Sequence, residues 1–278
     1  MPAINPQQHL FEEALGRAPG RGRLQGRRIL VVGAGQSEGA LEGAIGNGRA
    51  TAWLLAREGA HVACADRVLA SARETVDLIT GEGGRAVAIE ADVGDEDSVK
   101  RMIAGTLEQL GGLDGLVVNV GINSKLALPD VSVDHWDDVF RINTRGHMLC
   151  CREAWPHLAD GSAIVLISSM AGLRASGNNV AYDAAKAALP GLCRHLVELG
   201  EPRGIRCNVL ALGWMNTAMG QASRAISSAR ATRRMPFHRQ GTGWETAYTA
   251  LFLVSRESSF YNGQTVALDA GHSAALWS

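Results

Sequence analysis

The stretch I-L-V-V-G-A-G-Q, residues 29–36, and the piece G-N-G-R-A-T-A at 46–52 decide the fold of this chain. Residues 29–32 are short, apolar and rich in Val and Ile, as a strand buried on both faces must be. Glycines end the run. An alanine-rich stretch at 48–58 follows and reads as a helix closed by Gly59. A glycine-rich turn between a first strand and a first helix lets backbone approach a pyrophosphate, which the helix N-terminus attracts.

Working outward, apolar runs and helical stretches alternate. Strands are predicted at 61–65, 86–90, 113–119, 162–168, 207–212 and 264–268. Helices are predicted at 70–80, 96–110, 133–158 (broken near Pro156), 179–200 and 244–255. This alternation specifies one α/β domain over residues 28–278, a doubly wound parallel sheet of about seven strands with helices on both faces. Residues 1–27 read as an N-terminal arm. A short helix is expected at 5–16, then a mobile Gly/Arg/Pro segment, with packing on a neighbouring subunit as the alternative. Asp66 ends the second strand. An acidic residue there accepts hydrogen bonds from ribose hydroxyls and repels a 2′-phosphate, which favours NAD and makes NADP the lesser choice. Arg67 beside it softens that preference, and a helix cap or turn is the other use of Asp66.

The 278 residues carry a net charge of −1, so nothing points to nucleic acid or an anionic membrane surface. No apolar run approaches the roughly 20 residues that span a bilayer, and the N-terminus lacks the basic start and apolar core of a signal peptide. The five cysteines are odd in number and form no C-x-x-C pair, which suits reduced core thiols in a cytoplasmic protein. The eight histidines show no ligand spacing, so no metal site is expected.

The segment Y-D-A-A-K places Tyr182 and Lys186 four residues apart, on one face of a helix. A phenol, with a pKa of about 10, is a poor base at neutral pH. An adjacent ammonium is expected to lower that value and make a proton-transfer device. Ser169 lies thirteen residues upstream of Tyr182. Pro190 denies the Lys186 carbonyl its helical donor, so a modest kink is expected after the catalytic turn.

Taken together, residues 25–272 resemble the short-chain dehydrogenase/reductase family. Gly33, Gly46 and Gly48 resemble the glycines of its T-G-x-x-x-G-x-G loop, with Gly35, Gln36 and Asn47 in the same loop. Val32 replaces the usual threonine, and residues 37–45 read as an insertion. Asp92 and Val93 resemble the segment beside the adenine ring, and Asn119-Val120-Gly121 the segment closing the fourth strand. Asn143, in R-I-N-T, resembles the active-site asparagine. Gly213, Met215 and Thr217 match the segment near the nicotinamide, although Leu212 replaces a proline.

The resemblance implies a Rossmann fold and an NAD-dependent oxidoreductase interconverting a secondary alcohol and a ketone. Tyr182 is its acid/base, and Lys186 lowers the phenol's pKa and holds the nicotinamide ribose. Ser169 binds the substrate oxygen, and Asn143 holds a water linking Lys186 to solvent. Residues 214–240 are the expected substrate lid. Arg224, Arg230, Arg233 and Arg234 there are either a solvated face or an anion contact. Trp136, Met170, Leu173 and Arg174 are expected around the pocket. The insertion is expected at the rim of the cofactor cleft, with Glu38 and Glu42 turned away from the phosphates. A homo-oligomer, tetramer or dimer, is expected through the helices carrying Asn143 and Tyr182, with Trp277 packed at an interface. The alternatives are an NADPH-dependent 3-oxoacyl or carbonyl reductase and, outside enzymes, a nucleotide-sensing binding protein on the same scaffold.

Overall fold

The computed structural model describes residues 5, 10–37, 39, 43–225 and 235–274. The calls on Glu38, Glu42, Arg230, Arg233, Arg234, Trp277 and the side chain of Arg224 lie outside the described residues.

Among the described residues, seven strands form one sheet: β1 (Arg28–Val32), β2 (His61–Asp66), β3 (Arg85–Glu90), β4 (Leu113–Val118), β5 (Leu158–Ser169), β6 (Arg206–Leu212) and β7 (Thr265–Leu268). Their order is β3-β2-β1-β4-β5-β6-β7, and every pairing is parallel. The chain winds outward from β1 to β3, then restarts at β4 on the other side. That reversal opens a crevice beyond the carboxyl ends of β1 and β4, where ligands bind in such sheets.

Side chains alternate across the strands and fill two cores. Ile29, Val31, Val62, Cys64, Val165 and Leu210 face α1 (Asn47–Arg57) and α9 (Gly243–Val254). Leu30, Val32, Ala63, Leu116, Leu166 and Val209 face α3 (Glu96–Leu110), α5 (Gly146–Ala154) and α7 (Leu189–Gly200). Both faces are therefore covered, which is why the strand sequences read as unbroken apolar runs. The remaining helices are α2 (Leu69–Gly81), α4 (Val133–Phe140), α6 (Val180–Ala187) and α8 (Ala218–Ala225). All five cysteines are buried and unpaired. Among the described residues, no helix is long and apolar enough to cross a membrane.

The predicted helix over 133–158 is interrupted. Between α4 and α5 lies a π-turn, Arg141–Arg145, in which the Gly146 N–H bonds the Arg141 carbonyl five residues back. Pro156 sits in a 3-10 turn, Trp155–His157, and β5 begins directly after it. The predicted helix over 179–200 divides at Ala188, whose φ of −71° and ψ of −25° keep the chain helical in direction while its hydrogen bonding resets.

The arm also departs from expectation. Residues 12–16 are turns rather than a helix, and several residues of the 10–27 stretch contact the domain. Leu24 is buried in the α1/α9 core. Arg57 donates to the Gly16 carbonyl at 2.7 Å and lies 5.2 Å from the centre of the Trp244 ring. Arg23 pairs with the fully buried Glu58 at 2.6 Å. Thr242 donates to the Ala14 carbonyl at 2.7 Å.

Candidate active site

A cleft of about 1200 Å³ runs along the carboxyl ends of the strands. Every residue expected to bind cofactor lines it, from Gly33 through Thr217. Gly33 turns the chain out of β1 at a φ of +80°, a conformation that favours glycine. A Cβ on Gly48 would collide with the Gly33 carbonyl oxygen and lie 2.6 Å from the Asn119 side-chain nitrogen. Only glycine permits that approach, and it lets Asn119 donate to the Gly33 carbonyl at 3.1 Å. Helix α1 starts at Asn47, with no side-chain cap and no acidic residue in its first turn. Its first N–H groups therefore form an anion-binding end at the cleft, and the glycine cradle suits a pyrophosphate.

The acidic and basic groups around this half are well anchored. The Asp66 carboxylate accepts the Gly35 N–H at 2.9 Å and the Val68 N–H at 3.0 Å, so it also serves the turn after β2. Asp92 accepts the Gly94 N–H at 2.7 Å. Arg49 is buried and pairs with Glu74 at 2.7 Å, while also holding Thr75 and Ser71. Gln36 lines the cleft and also ties the loop together. Its side chain accepts the Gly46 N–H at 3.0 Å and donates to the Ala44 carbonyl at 3.4 Å. Its backbone N–H goes to Ser71. Gln36 thus fastens the base of the insertion, and its polar groups are taken up within the protein.

The other half of the cleft holds the expected catalytic group. Ser169 ends β5 and Tyr182 and Lys186 sit on α6, all lining the cleft. The Lys186 ammonium lies 5.9 Å from the centre of the Tyr182 ring and donates to the Val120 and Ile167 carbonyls, each at 3.0 Å. Asn143 is fully buried behind the wall, in the π-turn. Its amide donates to the Ile122 and Val139 carbonyls and accepts the Ile122 N–H, so it fixes the chain beyond β4.

Burial lowers the Lys186 pKa from 10.5 to about 7. Burial also raises that of Tyr182, the nearby Asp183 adds to the rise, and the Ser169 hydroxyl opposes it. The expected depression of the phenol by Lys186 is therefore not what the isolated chain provides, because desolvation dominates. Asp183 itself is held by Ser176, through its N–H at 2.7 Å and its hydroxyl at 2.6 Å.

Met170 and Arg174 line the cleft as expected. Leu173 is exposed, and Trp136 stacks on Phe140 with 4.9 Å between ring centres in a small cluster behind Tyr182. Two residues carry no sequence signal. Asn179 accepts the N–H groups of Ser124 and Lys125, shaping the loop after β4 from 55 and 54 positions away. Ser168 donates to the Lys186 carbonyl at 2.9 Å. Among the described residues, no three His, Cys, Asp or Glu side chains gather as a metal site would require.

Comparison with known proteins bears on this geometry. Residues 40–273 match the family model described as enoyl-(acyl carrier protein) reductase. The chain is 36% identical over 234 residues to cis-4-hydroxycyclohexanecarboxylate dehydrogenase of Sinomonas cyclohexanicum, covering 83% of this chain and 94% of that one. It is 32% identical over 267 residues to glucose 1-dehydrogenase of Gluconobacter oxydans, covering 91% and 94%. With the 3-oxoacyl-acyl-carrier-protein reductase of Thermotoga maritima the identity is 30% over 251 residues, covering 90% and 98%. The crystal structure of a dehydrogenase/reductase from Sinorhizobium meliloti superposes with a TM-score of 0.80 at 31% identity, covering 94% of this chain and 99% of that one. With a parallel seven-stranded sheet, a glycine cradle at its switch point and relatives matched nearly end to end, the chain belongs to the short-chain dehydrogenase/reductase family.

Proposed function

We propose that this oxidoreductase uses NAD to interconvert a secondary alcohol and a ketone, with Tyr182 moving the proton. One observation carries the reading. Ser169, Tyr182 and Lys186 meet at one end of a single cleft, with Asn143 behind them, and Asp66 stands at the other end.

When bound, the nicotinamide supplies the acceptor or donor of a hydride. The chain's own residues do the rest. In oxidation the Tyr182 oxygen takes the proton of the substrate hydroxyl, and in reduction it returns one to the forming alkoxide. The Ser169 hydroxyl donates to the substrate oxygen and steadies its charge. Lys186 would hold the nicotinamide ribose. Asn143 would hold a water linking Lys186 to solvent. Met170 and Trp214 give the substrate end an apolar wall, and Met215, Thr217 and Met219, at the start of the expected lid, border it as well.

Asp66 supports NAD. Its carboxylate would accept ribose hydroxyls and repel a 2′-phosphate. Arg49, the first basic residue after the glycine loop, is already neutralised by Glu74. The buried thiols suit the cytoplasm. An NADPH-dependent 3-oxoacyl reductase is the second reading, favoured by the similarity to the Thermotoga maritima reductase and by the exposed Arg67. A nucleotide-sensing protein without turnover is the third, and the full catalytic set argues against it.

A panel of secondary alcohols offered with NAD⁺ and NADP⁺, followed by absorbance of the reduced nicotinamide, separates these readings. We expect turnover with NAD⁺ at a higher kcat/KM. A higher kcat/KM with NADP⁺ rejects the assignment of Asp66. Tight nucleotide binding without turnover on any member rejects the enzyme.

A further inference from the structure

We propose that Ser168 is a positioning residue for Lys186, acting through the main-chain carbonyl that Pro190 leaves without a helical donor. The inference rests on the reading of Lys186 given above. In a continuous helix the N–H four residues on would bond the Lys186 carbonyl, but residue 190 is proline and has none. Because Ala188 keeps helical dihedrals, that carbonyl stays buried inside a continuing rod rather than turning to water. A buried acceptor without a partner is costly. The Ser168 hydroxyl fills the place at 2.9 Å, from a side chain only 4% exposed.

Gly172 makes the fit specific. A Cβ there would stand 2.8 Å from both the carbonyl carbon and oxygen of Lys186, so only glycine lets the turn after β5 close on this point. The end of β5 thus grips the lysine twice. The Ile167 carbonyl accepts from its ammonium at 3.0 Å, and the Ser168 hydroxyl donates to its carbonyl. Thr144 adds a grip on the preceding turn, donating to the Ala185 carbonyl at 3.0 Å. The adjacent serines divide the work because strand side chains alternate in direction. Both serines border the cleft, but the Ser168 hydroxyl is turned to the Lys186 carbonyl of α6.

The sequence contains only three lysines, Lys100, Lys125 and Lys186, so lysine-selective NMR reads the last one directly in the ligand-free protein. We expect one lysine of the parent to titrate near 7. Ser168→Ala should loosen its seat, admit water and raise its protonation constant by about tenfold, a shift of roughly one pH unit. It should also lower kcat/KM by about tenfold, as expected when a buried acceptor loses its donor. In a Pro190→Ala background the new N–H can take the carbonyl, so the same Ser168→Ala change should cost less than about threefold.

An unmoved lysine titration overturns the proposal, and so does an equal loss in both backgrounds. If Ser168→Ala alone does not fold, the double variant decides. Recovery of folding and of the titration supports the proposal, and failure to recover either overturns it. Should the titration move as expected while Tyr182→Phe keeps its activity, the catalytic reading falls and the positioning role stands.

Discussion

Burial holds the Lys186 pKa near 7, while the unfolded chain restores the ordinary 10.5. Between those values the unfolded state binds more protons than the folded one, so stability rises with pH across that window. Below 7 both states are protonated and the slope from this group vanishes. Above 9.0 the Cys64 and Cys150 thiols work in the opposite direction, since burial raises their pKa values to about 12. The clean interval is therefore pH 7 to 9. There the ligand-free parent should gain roughly 2 kcal/mol that Lys186→Met does not, measured by urea unfolding at each pH. Equal slopes for the two proteins would show that the lysine is not desolvated. Tyr182→Phe tests the neighbouring group. It removes only the hydroxyl, so turnover should fall by about 10²-fold or more while NAD affinity stays within a few-fold. Activity within a few-fold of the parent removes Tyr182 from the mechanism. The pairing of these two residues was legible because helical spacing alone puts them together. The direction of the phenol's shift was not, because it depends on how deeply α6 is buried, which four residues of sequence do not encode.

Element by element, the alternation of strands and helices followed from the apolar runs, since a sheet covered on both faces admits few polar positions. The interruption at Arg141–Arg145 had no such signal. A π-turn adds one residue to a helix whose side chains are otherwise ordinary, and such turns are frequent at functional sites. The insertion over 37–45 was legible as an insertion, and its exit from the carboxyl end of β1 follows from topology alone. Its fastening by Gln36 was not, because the side chain bonds Gly46 across the whole loop. Ser37 and Gly39 line the cleft, and a Cβ on Gly243 would lie 2.7 Å from the Ile45 carbonyl, so the far end of the loop seats on α9. Replacing residues 37–45 with a three-residue Gly/Ser turn should therefore weaken NAD binding more than it alters substrate preference. Calorimetric titration with NAD and a substrate panel read the two effects separately. Unchanged NAD affinity with a shifted substrate range would place the loop on the substrate side.

At the scale of the whole molecule, the described surface carries an open strand edge and several exposed apolar side chains. Strand β7 pairs with β6 on one side and ends the sheet on the other, leaving its outer N–H and C=O groups without a strand partner among the described residues. Exposed edges of this kind invite pairing unless they are covered. Close by in sequence, Phe260 is fully exposed and Tyr261 nearly half so. On another part of the fold, Val133 of α4 is also exposed, at the start of the helical region that carries Asn143. The arm shows how little of such packing sequence can reveal. Its Ala14 carbonyl is held by Thr242, 228 positions away, and nothing local marks either residue for the contact. Its docking against α1 and α9 occupies surface there. We expect a homo-oligomer, tetramer or dimer, by light scattering at micromolar concentration. Phe260→Asp should lower that mass by at least one association step without changing the circular dichroism of the fold, because a charge at a fully exposed position costs the monomer little and a buried interface much. A parent that scatters as a monomer at that concentration removes the expectation. A parent oligomer that the Phe260 variant leaves intact moves the interface away from the β7 side and toward α4.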